Sequence, residues 1–345
     1  MVKWGVIGAG GIAYRRTIPE GIIPANNSEL VAIMDIREEV VKEISQKFKV
    51  KGFTSEEELL SLKEIDAVYI ATPAHLHAQQ TLAALEKGKH VLCEKPLALT
   101  VEDCQRMVDT AKEKNLKLGV GLMMRFHRHH QKFKELVQKG DLGKPVMARA
   151  QLSCWYPPIS GAWRQVPELG GGGSLIDMGS HCIDLLEFIL GTRVKEVTCF
   201  AERVIHDYPV EDTALLTVKF EDGAVGIVDS CFSIPDHGSL NRLELYGSKG
   251  SILAEGTIGQ SPGGKAIAYL SKEVGGYDAL QRREPVKGEE IQVEPYNTYQ
   301  AEIEEFAQAI MEDRPPSVPG EEGLWNQKII LAAYTSAREG RKIIL

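Results

Sequence analysis

Apolar and polar positions repeat with two different periods along this chain, and the pattern changes about a third of the way in. Over residues 1–124, short apolar runs at 3–7, 30–34, 67–71, 90–93 and 117–120 are separated by stretches with helical spacing. Ser55 followed by Glu56-Glu57-Glu58 and Leu59-Leu60 spells a capping box at a helix start. Thr100 precedes Glu102-Asp103, and Val101, Cys104, Met107, Val108 and Ala111 recur as one helical face. Strands alternating with helices predict a parallel sheet joined by right-handed crossovers.

From residue 125 the character changes. Runs at 146–152, 194–200, 214–220 and 224–229 read as strands, and Glu221-Asp222-Gly223 joins the last two as a hairpin. Short links predict a largely antiparallel sheet, open on one face. Residues 258–292, rich in Gly, Lys and Glu, read mainly as surface loop and edge strand. Ile303, Phe306, Ala307, Ile310 and Met311 form an apolar helical stripe that Arg314-Pro315-Pro316 stops. A final helix at 324–337 is expected to pack back on the first part. The predicted class is α/β: a doubly wound parallel-sheet domain over 1–124, then an α+β domain over 125–345 with a large, mostly antiparallel open sheet.

Composition agrees and narrows the function. The 345 residues fit two domains, and 43% hydrophobic residues supply a large core. With 40 basic against 48 acidic side chains the net charge is −8, unsuited to wrapping nucleic acid by counterion release. No apolar run nears the roughly 18 residues of a membrane span. Glycines interrupt the N-terminal apolar stretch and Arg15-Arg16 follow it, unlike a signal peptide. The cysteines, at 93, 104, 154, 182, 199 and 231, form no C-x-x-C pair, so reduced, mostly buried thiols and a cytoplasmic location are expected.

Candidate chemistry begins at Gly8-Ala9-Gly10-Gly11-Ile12-Ala13, a G-x-G-x-x-A turn between the first strand and a helix. Gly8 permits a tight turn, Gly10 lets a pyrophosphate approach, and Ala13 lets the helix pack on the strand. The helix N-terminus offers N–H groups to phosphates. Asp35, followed by Ile36, ends the second strand and suits the adenosine ribose of NAD; Arg37 can turn outward to a 2′-phosphate, keeping NADP open, or lie solvated in the next helix. Lys95, before Pro96, ends the fourth strand. Alone it equally reads as a surface lysine.

Further on, Gly170 to Gly173 precede a helix predicted to start near Ser174. There Asp177 and His181 share a face at i and i+4. The carboxylate can orient the imidazole, a suitable acid–base for an alcohol/ketone pair; a surface ion pair would look the same. Trp155, Tyr156, Trp163 and Arg164 form a loop that can stack on or hold a sugar, or simply pack. Arg125 either reaches the site or holds the domain junction. His127, His129 and His130 read as a solvated helix start beside Arg128, with His129 facing elsewhere, and no metal site is expected from these or from Asp177, His181, Glu187 and His206.

The glycine turn, Thr72-Pro73 with His77, and Glu94-Lys95-Pro96 together resemble the Gfo/Idh/MocA family of sugar and polyol oxidoreductases. The resemblance continues through Arg125-Phe126, Gly170 to Gly173 with Asp177 and His181, Glu211-Asp212-Thr213-Ala214 and Gly247-Ser248-Lys249-Gly250. One departure is Ala74, where many members carry Asn. The resemblance implies an N-terminal Rossmann domain binding NAD or NADP, with Thr72, Pro73, His77, Glu94 and Lys95 beside the cofactor. It implies Lys95, Asp177 and His181 as the catalytic set and Arg125, Tyr156, Trp163 and Arg164 as substrate contacts. It further implies a sugar or cyclitol substrate and a homodimer or homotetramer formed through the C-terminal sheet. An NAD-dependent glycosidase and a non-catalytic cofactor-binding sensor are the alternatives.

Overall fold

The computed structural model describes every residue except 272–275, 278 and 281–286. Part of the 258–292 expectation therefore lies outside the described residues. The chain divides into two compact units: residues 1–123, 161–172 and 297–328, and residues 124–160, 173–296 and 329–345.

The first unit carries six parallel strands: β1 Val2–Ile7, β2 Ser28–Met34, β3 Lys51–Phe53, β4 Ala67–Ile70, β5 His90–Glu94 and β6 Leu118–Gly121. Their order is β3-β2-β1-β4-β5-β6. The direction of winding reverses between β1 and β4, and ligands of such sheets bind outside the carboxyl ends of the strands at that point. Five strands match the apolar runs. β3 escaped prediction because Lys51-Gly52-Phe53 is a short edge with no fully buried residue.

Helices cover this sheet for the reasons the sequence indicates. Thr100 caps Val101–Glu113 by accepting the Asp103 N–H at 3.0 Å, while Cys104, Met107, Val108 and Ala111 are buried. Ser55 stands at the N-cap of Glu56–Leu60, but its side chain makes no capping hydrogen bond, so the expected capping box is not formed. Helix Thr298–Met311 packs on the segment Ala9–Ile22, burying Ile303, Phe306 and Ala307; Met311, placed on its stripe, is exposed. Trp4 lies fully buried 5.7 Å from Phe306, ring to ring, and donates its indole N–H to Ser28 Oγ. Val120 N–H donates to Val318 O, so the 318–319 segment closes the free edge of β6.

The second unit holds a nine-stranded sheet: β7 Pro145–Ser153, β8 Val194–Glu202, β9 Thr213–Phe220, β10 Val225–Cys231, β11 Arg242–Gly247, β12 Gly250–Glu255, β13 Lys265–Leu270, β14 Glu289–Glu290 and β15 Ile343–Ile344. The order is β14-β13-β12-β11-β7-β10-β9-β8-β15, antiparallel except for the parallel pair β7–β10. Along β9, Ala214, Leu216, Val218 and Phe220 point into the core and Leu215, Thr217 and Lys219 point out. Helix Ser180–Leu190 packs on β7 and on helix Arg128–Gln138. Among the described residues no helix is long and apolar enough to cross a membrane, and the six cysteines are free thiols, five of them buried.

The histidines at 127, 129 and 130 correct the sequence reading, for they are buried rather than solvated. The His127 ring lies 5.5 Å from that of His129 and 4.7 Å from that of His130, so His129 does not face elsewhere. His127 Nε2 stands 3.0 Å from Gly263 O, His129 Nε2 3.2 Å from Ile291 O, and His130 Nδ1 2.8 Å from Met124 O. They fasten the start of helix Arg128–Gln138 to two loops. Among the described residues no group of three His, Cys, Asp or Glu side chains could hold a metal ion.

Two outcomes follow from these contacts. Burial lowers the His127 pKa to about 4 and that of His130 to about 3. The unfolded chain, with histidine near about 6.5, then binds more protons as pH falls. Stability present above that value should decline on acidification toward pH 4, by up to about 1.4 kcal/mol per pH unit and histidine. Urea unfolding of the second unit between pH 7 and pH 4 measures this, and His130→Gln should flatten the slope. In the first unit, Thr100→Ala, which removes the cap, should cost about 1 kcal/mol in urea unfolding of that unit at pH 7.

Candidate active site

In the first unit the glycine turn is held by contacts that leave no room for side chains at Gly8 and Gly10. Gly8 has φ +85°, and a Cβ there would lie 2.7 Å from Thr72 N and Cγ2. The ends of β1 and β4 are thereby pressed together. Ala13 is fully buried against the sheet. The helical segment Ala9–Ile22 is interrupted at Gly11, where the backbone is non-helical (φ −103°, ψ −123°), and carries no acidic residue in its first turn. A Cβ on Gly11 would meet only Ala71 O, at 3.9 Å, and Ile12 beside it is partly exposed. An open, acid-free helix start suits a pyrophosphate. The residues present therefore fit a dinucleotide.

Asp35 closes this turn. Its Oδ2 accepts the Gly10 N–H at 2.9 Å, and its Oδ1 accepts the backbone N–H and the Nε–H of Arg37, both at 3.1 Å. Arg37 is thus paired instead of merely solvated, and the carboxylate raises its pKa. Its guanidinium lies where a Cβ on Gly10 would be. Ile36 is 82% exposed, an apolar surface at the end of β2.

The residues after β4 and β5 are tied to one another. His77 is buried, with Nδ1 2.8 Å from Pro96 O and Nε2 2.9 Å from Thr72 O. Its ring is a strut between the Thr72-Pro73 loop and the residue following Lys95, and burial lowers its pKa. Thr72 Oγ1 donates to Gln80 Oε1 at 2.6 Å, while Ala74 is buried and opens the short turn Ala74–Leu76. Glu94 receives the Tyr69 hydroxyl proton, and Tyr69 receives that of Thr17 at 2.9 Å. Burial raises the Glu94 pKa, against the pull of Tyr69, Lys95 and Arg164. Lys95 is partly exposed at the carboxyl end of β5, and its peptide bond to Pro96 is cis. Trp163 and Arg164 belong to this unit, the Arg164 guanidinium lying 4.2 Å over the Trp163 ring. Tyr69 and Thr17 were missed by sequence reading, since an aromatic in a buried strand reads as core.

In the second unit Asp177 lies in a wide helical turn, Leu175–Gly179, that leads into helix Ser180–Leu190. The Ser180 N–H reaches back five residues to Leu175 O. A turn of more than four residues keeps Asp177 and His181 nearly in line along the helix, and both are partly exposed. Arg125 is accounted for without a ligand: it is buried, and its Nε–H bonds both Asp184 oxygens, at 2.9 and 3.0 Å. Tyr156 packs its ring 4.9 Å from Phe232 and its carbonyl accepts the Tyr208 hydroxyl proton. Glu187 and His206 serve the backbone: Glu187 accepts the Val194 N–H and His206 Nε2 stands 3.2 Å from Phe232 O.

Comparison with known proteins places the chain in a family. Residues 2–122 match the family model described as oxidoreductase family, NAD-binding Rossmann fold, and residues 130–253 match the GFO/IDH/MocA C-terminal domain. The chain is 31% identical to 1,5-anhydro-D-fructose reductase of Ensifer adhaerens, over 99% of this chain and 98% of that protein. It is 30% identical to myo-inositol 2-dehydrogenase of Thermotoga maritima, over 100% and 98%. The crystal structure of aldose-aldose oxidoreductase from Caulobacter crescentus complexed with glycerol superposes with a TM-score of 0.87 at 27% identity, covering 100% of this chain and 99% of that one. This chain belongs to the Gfo/Idh/MocA family of NAD(P)-dependent oxidoreductases.

Proposed function

We propose that the protein oxidises a hydroxyl carbon of a sugar, cyclitol or related polyol, or reduces the matching ketone, with NAD preferred over NADP. The observation that carries this reading is the His77 strut, which holds the Thr72-Pro73 loop and the Lys95-Pro96 step together beside the glycine turn. The names of the similar reductase and inositol dehydrogenase support the substrate class.

When bound, NAD supplies the hydride acceptor. This chain's residues do the rest. The first unit binds the cofactor: Gly8 to Ala13 take the pyrophosphate, Asp35 and Arg37 the adenosine ribose, and Thr72, Pro73, His77 and Glu94 shape the floor around Lys95. The second unit contributes Asp177 and His181. His181 takes the proton from the substrate hydroxyl, Asp177 orients the imidazole, and the Lys95 ammonium stabilises the alkoxide as it develops. Trp163, Arg164 and Tyr156 contact the sugar, and Arg125 supports the second unit through Asp184.

We further assign homo-oligomer formation to the outward face of the nine-stranded sheet, where Phe200 is 66% exposed and Leu215, its direct partner across β8 and β9, is 43% exposed. Free, mostly buried thiols suit a cytoplasmic enzyme.

A panel of inositols, hexoses and their keto forms, followed by NADH absorbance, tests the activity; net NADH from at least one polyol is expected, and aglycone release at constant NADH would point to the glycosidase chemistry instead. His181→Ala should lower kcat by about 10²–10⁴-fold and leave NADH affinity, read by fluorescence, unchanged. Turnover at the wild-type level would remove His181 from the mechanism. Replacing both Phe200 and Leu215 with Glu should yield monomers in light scattering.

A further inference from the structure

We propose that Glu211 is a positioning residue for catalysis, holding the backbone from which Asp177 and His181 project. This rests on the roles given to those two residues above.

The argument is one of connected hydrogen bonds within the second unit. Glu211 is a buried carboxylate preceding β9. The Gly173 N–H lies 3.0 Å from each of its oxygens, and Oε1 also accepts the Leu175 N–H at 2.9 Å and the Tyr334 hydroxyl proton at 2.8 Å. Its own carbonyl accepts the intervening Ser174 N–H at 3.1 Å. Three successive N–H groups at the start of the helical segment, which a helix leaves without internal partners, are thus all taken by one residue. A carboxylate also complements the positive end of the helix dipole.

The clamp continues to the site. Gly173, whose N–H Glu211 holds, offers its carbonyl to the Asp177 N–H at 3.1 Å. Asp177 in turn lies in the wide turn closed by the Ser180 N–H on Leu175 O. Movement of Glu211 therefore reaches Asp177 through one residue and the His181 turn through Leu175. Gly173 has no alternative: a Cβ there would collide with the Glu211 carbonyl oxygen. The clamp also needs an acceptor on both oxygens. An amide would turn N–H groups toward the N–H groups of Gly173 or Leu175.

The test uses the full-length chain and the best polyol found in the substrate panel. Glu211→Gln should lower kcat by at least about tenfold, because small displacements of reacting groups cost rate steeply, while KM for NAD and the NADH dissociation constant stay within about twofold. Amide exchange at Gly173 and Leu175 should quicken. Tyr334→Phe, which removes one donor and leaves the carboxylate, should move both readouts the same way by less, and it decides the matter if the glutamine variant fails to fold. A folded Glu211→Gln protein with kcat within about twofold of wild type, or Tyr334→Phe with faster exchange at Leu175 and unchanged kcat, overturns the proposal while His181→Ala still abolishes turnover. Wild-type turnover in His181→Ala instead overturns the assignment on which the proposal rests.

Discussion

A carboxylate removed from water must be met by donors, and this requirement organises both units. An unmatched buried charge costs more than most single contacts return, so the chain is arranged around its acids. Asp35 takes the Gly10 N–H and Arg37, and Glu94 takes the Tyr69 hydroxyl. Asp184 takes Arg125. Asp212, next to Glu211, gathers the N–H groups of Val204, Ile205 and His206, which together hold its pKa down against the effect of burial. Among the described residues Glu302 is the exception: it is buried, neither oxygen has a hydrogen-bond partner, and burial beside Glu94 pushes its pKa well above the ordinary range.

The carboxylate arrangement explains what could be read in advance. Strand and helix positions in the first unit follow from apolar spacing, because a parallel sheet buried on both faces needs continuous apolar runs and its helices need one apolar stripe. The glycine turn and Asp35 were legible because backbone conformation and close approach restrict those positions to few residue types. Strands 145–153, 194–202, 213–220 and 225–231 were visible as alternation. β11 and β12 were not read, and for β13 and β14 only an edge strand within 258–292 was expected; β12 and β13 turn alanine toward the core, and β14 is two glutamates.

Side-chain commitments were the least legible. Nothing in local spacing says that Arg125 is spent on Asp184, fifty-nine positions away, or that residues 161–172 cluster with the first unit. The three histidines looked solvated because a polar run beside Arg128 usually is; His127 and His129 find their carbonyl partners in loops far along the chain, at Gly263 and Ile291, and His130 finds its own at Met124. Asp177 and His181 stood out by spacing and by the family resemblance, yet Glu211, whose carboxylate accepts the Gly173 and Leu175 N–H groups before them, lies in another part of the sequence. Contacts of that kind are invisible to periodicity because they depend on which loops the fold brings together.

The parallel pairing of β7 with β10 has a kinetic side. β7 emerges first among the nine strands, yet its two neighbours, β10 and β11, are made only after β8 and β9. Until then an apolar central strand has both edges unpaired, and the antiparallel hairpin β9–β10 can form ahead of it. Assembly of this sheet is therefore dominated by long-range closure, the slow kind. The nascent chain carries an unpaired strand until β10 is made, an interval when contact with another copy or with a chaperone matters most.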